Sequence, residues 1–433
     1  MTQATPIRRI EFWIAAPIAI IAAALAWFRL PSLARSTVWA EDGTIFLNDA
    51  ISGRPAEHLF AGYQGYLRFV PRVVADITVN VVDLQHAAMM VTLLSCAIVG
   101  LAAALVFWCA RDAVPSSLLR LVLASITVLA PLVPIELLGN AANLHWFFLW
   151  MLLWVFLYVP RTRLGAILLS VVALVCAMSE IQLLFLMPLF LLPRGSRLVW
   201  PPRIGLVIGL CAQIVTTLIS PRPSHAGGLG GALRNYVAEV ALPNFTANRA
   251  TLNELLGPQA FLWETLAVIP LLLALAVGLR FGTRLQRVTM LYLVPGSFVL
   301  WIGDAFLNGW GGSPVGSAPF QFVRYAVVPS MFVLASLVMA AQILISQPER
   351  TGGRLLGRSL GFIALAALVV TLVVHFVPSE TTRSDGPSWQ SAIATAQTAC
   401  RSVSGTAVQR ITIAPHTGAA LWQFDISCSR LRH

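Results

Sequence analysis

Apolar runs of 13 to 25 residues recur along the chain, separated by clusters of Pro, Gly and Arg. Eleven are legible, at 10–30, 86–110, 119–138, 145–160, 164–180, 181–193, 204–220, 263–279, 288–305, 323–346 and 359–378. A helix crossing a ~30 Å hydrocarbon core needs about 20 apolar residues. The pattern therefore predicts an all-α polytopic membrane protein of about eleven transmembrane helices over residues 1–378. Only Ser179-Glu180 separates 164–180 from 181–193, and the second run is short for a crossing. The two read as separate spans, one kinked span or a re-entrant pair.

Three polar stretches are long enough to carry loop helices or a small domain: 31–85, 221–262 and the tail 379–433. The tail predicts a short helix from Trp389 to Cys400, a strand from Val408 to Pro415 alternating at Val408, Ile411 and Ile413, and a second strand ending at Cys428. It reads as a small α+β domain.

Composition sharpens this picture. The chain has 433 residues, 58% of them hydrophobic and only 11% charged. Soluble domains carry about 25% charged residues, so a water-soluble enzyme, a disordered chain and a fibrous protein are excluded. All 29 basic residues are arginine, the signature of a GC-rich coding sequence. Arg8-Arg9 before the first run resembles a signal peptide. That run exceeds the ~7–15 residues of a signal core and reads as an uncleaved anchor.

The net charge of +11 acquires meaning only when sorted by side. With the N-terminus in the cytoplasm, the short inner loops hold fifteen arginines and three acids, a net of +12. The remainder carries −1. The positive-inside rule then predicts N-terminus in and C-terminus out, in the cytoplasmic membrane. Chemistry belongs on the outer face, where nucleotide triphosphates are absent. No phosphate-binding glycine loop, CxxC pair or HExxH motif occurs, and nucleic acid is not an expected partner. Cys96, Cys109, Cys176 and Cys211 fall in spans and read as packing residues. Cys400 and Cys428, an isolated outer pair, are expected to form a disulfide.

Polar residues gather at one depth. The first outer loop contains Trp39-Ala40-Glu41-Asp42-Gly43, then Tyr63, Tyr66, Arg68 and Arg72. Adjacent carboxylates repel, and partial burial raises the pKa of one. Gly43 would permit a sharp turn aiming them at a cavity. Glu136, Asn143, His145, Glu180, Asp304, Arg324 and Tyr325 all fall at predicted outer span ends. Ionisable groups at membrane depth are costly and mark functional sites. Taken singly, each has a plainer reading. His145 caps a helix, Trp146, Trp150 and Trp154 form an interfacial belt and packing face, Arg324 snorkels to lipid phosphate, and Glu136 and Glu180 pair with Arg68 or Arg72.

A carboxylate within reach of an acceptor hydroxyl can act as general base. Arginine binds a departing phosphate with two bonds. Together these suit sugar transfer from a lipid phosphate. The span count, the N-in orientation, Glu41-Asp42 directly after the first span and the outer C-terminal region resemble the GT-C superfamily. These are polytopic glycosyltransferases that use polyprenyl-phosphate sugars, here of the bacterial cell-envelope type. The resemblance implies Asp42 as catalytic base with Glu41 as neighbour or substitute. It also implies inversion at the anomeric carbon and a glycan or glycolipid acceptor. The donor phosphate is expected at Arg324, helped by Arg68 or Arg72 and by Tyr325. Tyr63, Tyr66, Glu136, Asn143, His145, Glu180 and Asp304 are the expected cavity residues. No cofactor is called for, and a divalent metal is not required by the residues. The alternatives are an envelope polysaccharide polymerase or ligase, a lipid-linked-sugar transporter or flippase, and a non-catalytic assembly scaffold.

Overall fold

The computed structural model describes residues 6–221, 230–308, 323–346, 354–415 and 422–431. Trp310, beyond the predicted outer end of the ninth run, and Arg350, one of the fifteen inner-loop arginines, lie outside the described residues.

The protein is a helical, multi-pass membrane protein. Among the described residues, seven helices are long and apolar enough to cross a membrane: Leu84–Asp112, Ser117–Glu136, Arg197–Ile219, Ala260–Phe281, Arg284–Leu307, Val323–Ile345 and Leu355–Val374. Four shorter apolar helices, Ile14–Arg29, Leu144–Leu157, Arg163–Ala177 and Ile181–Leu191, occupy the other predicted runs. Proline sets the breaks inside two of the long segments. Ser117–Leu129 stops just ahead of Pro131, and Pro295 opens a new helix directly after Arg284–Leu293. Proline clashes with a helical conformation at the residue before it and has no N–H to give.

The ambiguous pair resolves into two helices meeting at Ser179-Glu180. Ile181–Leu191 winds as a 3₁₀ helix of 11 residues. At about 2.0 Å per residue it spans roughly 22 Å, farther than its length as an α-helix would reach. Beyond His145 in its first turn, Leu144–Leu157 is apolar on every side, and all 14 of its residues are buried. A helix without a polar face has to lie inside the bundle or face lipid, and this one is the centre of the core.

The loops that carry the arginine excess meet at one end. Arg161 pairs with Asp112 at 2.5 Å, Arg194 donates to the Leu157 carbonyl at 2.9 Å, and Gln286 to that of Ala113 at 3.2 Å. The other end is polar. There Arg29, fully buried, donates to the carbonyls of Val128, Ala130, His375 and Phe376. It so ties the ends of three helices together.

The tail folds as a helix, Trp389–Cys400, against the antiparallel strands Val408–Thr412 and Gln423–Ser427. A Cys400–Cys428 disulfide joins helix to sheet, as the sequence leads one to expect, with Cα atoms 5.2 Å apart. The first strand ends at Thr412 rather than Pro415, because Ala414 leaves the ladder to bridge Trp39 in the first long loop. Ala40 N–H donates to Ala414 O at 2.6 Å and Ala414 N–H to Val38 O at 3.1 Å. The tail thus holds the backbone of residues 38–40 directly.

Candidate functional site

Three local structures converge at the polar end. The first is the 36–47 segment. Trp39 and Ala40 are fixed by the tail, and Asp42–Leu47 forms one π-helical turn. Gly43 does not make the expected sharp turn with positive φ. Its need is space: a Cβ there would lie 2.6 Å from Ile413 Cδ1 and 2.8 Å from Val38 Cγ1.

The second is a hairpin, Gly62–Tyr63 paired with Tyr66–Leu67. Gln64 and Gly65 at its tip both have positive φ, the backbone of a two-residue hairpin turn. The Gln213 side-chain amide clamps Leu67 with two bonds, 2.9 Å from its N–H and 3.0 Å to its carbonyl. Arg68 follows this clamp, so its guanidinium is delivered from a fixed backbone.

The third is the turn before Leu144–Leu157. Gly139 has φ +72°, and its carbonyl accepts from Arg383 at 2.9 Å and Thr92 at 3.1 Å. The turn presents two successive N–H groups, and Asp42 takes both: Ala141 at 2.9 Å and Ala142 at 2.8 Å.

These parts enclose a cavity of about 340 Å³, within the size range of ligand sites. Glu41, Tyr63, Tyr66 and Arg68 line it from the long loop. Asn143, His145 and Glu180 form one wall, and Asp304, Arg324 and Tyr325 another. The predicted outer span ends therefore do come together. Three expected members stand elsewhere. Asp42 faces the 139–142 turn, because adjacent residues on a helical turn project about 100° apart. Arg72 is held by Asp49 at 2.7 Å and lies 5.5 Å from the Phe46 ring centroid. Glu136 sits behind the wall and pairs with Arg324 at 3.4 Å.

Burial is the largest influence on Asp42 and pushes its carboxyl up to about 7. The Ala141 and Ala142 N–H groups pull it down, Glu41 raises it, and Arg383 lowers it again. Arg383 is itself buried, which brings its guanidinium down to about 10 despite Asp42. Asp42 is thus a packed, backbone-bonded group, while Glu41 is the member of the pair that meets the cavity.

The cavity cations differ as well. Arg324 is neutralised by Glu136 and rests 5.2 Å from the Tyr325 ring centroid. Arg68 lies 5.6 Å from the Tyr66 ring centroid, and among the described residues it has no carboxylate at ion-pair distance. A hydrogen-bonded chain rims the other side. Gln182 donates to Asp304 at 2.5 Å, its N–H to Glu180 at 2.7 Å, and Glu180 bonds His145 Nδ1. Trp146, Trp150 and Trp154 are all buried, so they are core and cavity wall, not a lipid-facing belt. Among the described residues no group of three His, Cys, Asp or Glu side chains is arranged to hold a metal ion.

Sequence reasoning missed Arg383, Gln213 and the Ile413–Ala414 contact, which position Glu41, Asp42 and Arg68. A lone arginine, a mid-helix glutamine and two apolar tail residues carry no local pattern that would reveal them. Comparison with protein-family models and with curated proteins finds no match for this chain.

Proposed function

We propose that the protein transfers a sugar, with inversion, from a polyprenyl-phosphate-linked donor to a glycan or glycolipid acceptor of the cell envelope. The transfer takes place on the outer face of the cytoplasmic membrane. The observation that carries this reading is a carboxylate, Glu41, lining one polar cavity together with Arg68 and Arg324 at one end of a membrane-embedded bundle. The arginine-rich loops at the opposite end support an orientation with the cavity outside.

In the reaction, the acceptor hydroxyl gives its proton to Glu41 as its oxygen attacks the anomeric carbon. The carbon–oxygen bond to phosphate breaks, and the lipid phosphate leaves with the electron pair. Arg68, uncommitted to any carboxylate among the described residues, meets the growing negative charge. Arg324, fixed by Glu136, orients the phosphate from the far wall. Among the described residues, three carboxylates, Glu41, Glu180 and Asp304, line the cavity with these two arginines. A donor with a single phosphodiester charge asks less of Arg68 and Arg324 than the diphosphate carrier of a polymerase or ligase would.

The test is release of lipid phosphate from radiolabelled polyprenyl-phosphate mannose, arabinofuranose, glucose or galactofuranose by membranes containing the protein. At least one donor should be consumed by wild type and not by Glu41→Gln. Equal release from membranes with and without the protein for every donor would end this reading.

A further inference from the structure

The proposed mechanism leaves one buried pair in the cavity wall unused. His145 and Glu180 are 7% and 4% exposed, and His145 Nδ1 bonds a Glu180 carboxylate oxygen. The other Glu180 oxygen accepts the Gln182 N–H at 2.7 Å. Among the described residues, no arginine lies at ion-pair distance from Glu180. An ionised carboxylate only accepts hydrogen bonds, so Nδ1 carries the hydrogen. Among the described residues Nε2 has no hydrogen-bond partner, on a side chain that lines the cavity. The Trp146 ring packs beside the imidazole, 4.6 Å away between centroids and tilted by 38°.

Three features make this ring more than a satisfied core histidine. A buried carboxylate with no arginine at ion-pair distance gains from an adjacent cation, and His145 is the group that contacts Glu180. Arg68 and Arg324 line the same cavity and repel a positive charge on the ring, so an imidazolium there depends on Glu180 and on an anion held before Nε2. And among the described residues the carboxylates that line the cavity outnumber the arginines, so an anionic ligand there gains from one further positive donor.

Resting on the lipid-phosphate reading above, we propose that His145, held as an imidazolium by Glu180 and the donor's phosphate together, donates its Nε2–H to that phosphate beside Arg68. Glu180 is then a positioning residue: it touches no substrate, and fixes both the tautomer and the direction of the ring.

The experiment measures binding of farnesyl phosphate, with farnesol as the phosphate-free control, to the purified full-length protein in detergent. Wild type should prefer the phosphate. His145→Ala should weaken farnesyl phosphate binding on the order of tenfold and leave farnesol binding unchanged. His145→Gln, whose amide nitrogen can stand near the Nε2 position, should recover most of the loss. Glu180→Gln should give an intermediate loss. Histidine ¹⁵N spectra supply a readout independent of whether the variants fold. In wild type the Nε2 resonance of His145 should shift on adding farnesyl phosphate but not farnesol, and Glu180→Gln should alter the Nδ1 resonance. Phosphate binding undiminished in His145→Ala, or an Nε2 resonance indifferent to the phosphate, overturns the role of His145 and leaves the glycosyltransferase reading standing. No preference of wild type for farnesyl phosphate over farnesol overturns both. Binding as expected without any sugar transfer overturns the transferase reading alone.

Discussion

Glu41 and Asp42 are neighbours in sequence with opposite employment. Glu41→Gln should cut sugar transfer by about 10²–10⁴-fold, the usual worth of a general base, with thermal unfolding unchanged. Asp42→Asn replaces one of two carboxylate acceptors by an amide donor facing a backbone N–H. It should cost roughly 1–3 kcal/mol of stability while transfer, scaled to folded protein, largely survives. The reverse pattern would make Asp42 the base. Asp42 also predicts a pH dependence. An unfolded aspartate titrates near 3.9, whereas burial holds this one up to about 7. The folded state therefore binds the proton more tightly across that interval, and stability falls as pH rises from about 4 to 7. The fall is at most about 4 kcal/mol. Unfolding midpoints of the detergent-solubilised protein should show it, and Asp42→Asn should flatten it. The arginines separate in the same way. Arg68→Ala should weaken donor use without loss of stability, since Arg68 holds no ion pair among the described residues. Arg72→Ala should cost about 1.5–3 kcal/mol through its bond to Asp49, and affect donor binding little.

At the scale of elements, the site depends on clamps between segments far apart in the chain. The hairpin at 62–67 is too short to be stable alone, and Gln213 holds it by both backbone groups of Leu67. Gln213→Leu keeps the volume and leaves a buried N–H and carbonyl without partners, a cost of about 1–3 kcal/mol. Its functional effect should appear at Arg68, as a weaker apparent donor affinity in titrations with polyprenyl-phosphate sugar. Unaltered affinity would show that the hairpin is held by its other contacts. The Gly139 turn is the counterpart on the opposite wall. A Cβ there would approach Leu30 Cδ1 to 2.5 Å and Arg383 Nη2 to 2.9 Å in a backbone conformation that resists side chains.

Over the whole molecule, the tail acts as a brace on the segment that bears Glu41. Its contacts run through Ala414 to residues 38–40, through Thr44 Oγ1 to the Gln423 carbonyl at 2.8 Å, and through Arg383 to the Gly139 turn. The disulfide closes a segment with a sequence separation of 28, for which chain-entropy reasoning assigns ~3–4 kcal/mol to the tail. Reduction should therefore lower transfer even though neither cysteine lines the cavity. Turnover and unfolding with and without reductant measure this, and full activity in a reduced, loosened tail would show that the brace is dispensable. Accessibility labelling of single cysteines placed in the tail checks the orientation, with modification from outside expected.

The sequence by itself determined what depends on solvent and on chain-local geometry. Apolar run lengths report the transfer of side chains out of water, so the helices, their order and the polar character of one end were legible, as was the small stapled tail. The helix breaks at Pro131 and Pro295 fall inside 119–138 and 288–305, each read as one span, because apolarity runs on through a proline that interrupts the helix. Tertiary structure decided what depends on direction. Whether Glu41 or Asp42 meets the cavity turns on a rotation of about 100° between adjacent residues, set by two N–H groups a hundred residues away and a tail almost four hundred residues away. The freedom of Arg68, the engagement of Arg324 and the withdrawal of Arg72 are likewise properties of partners, not of residue type. A hydropathy pattern records how deep a group lies, and carries no record of which way its side chain turns.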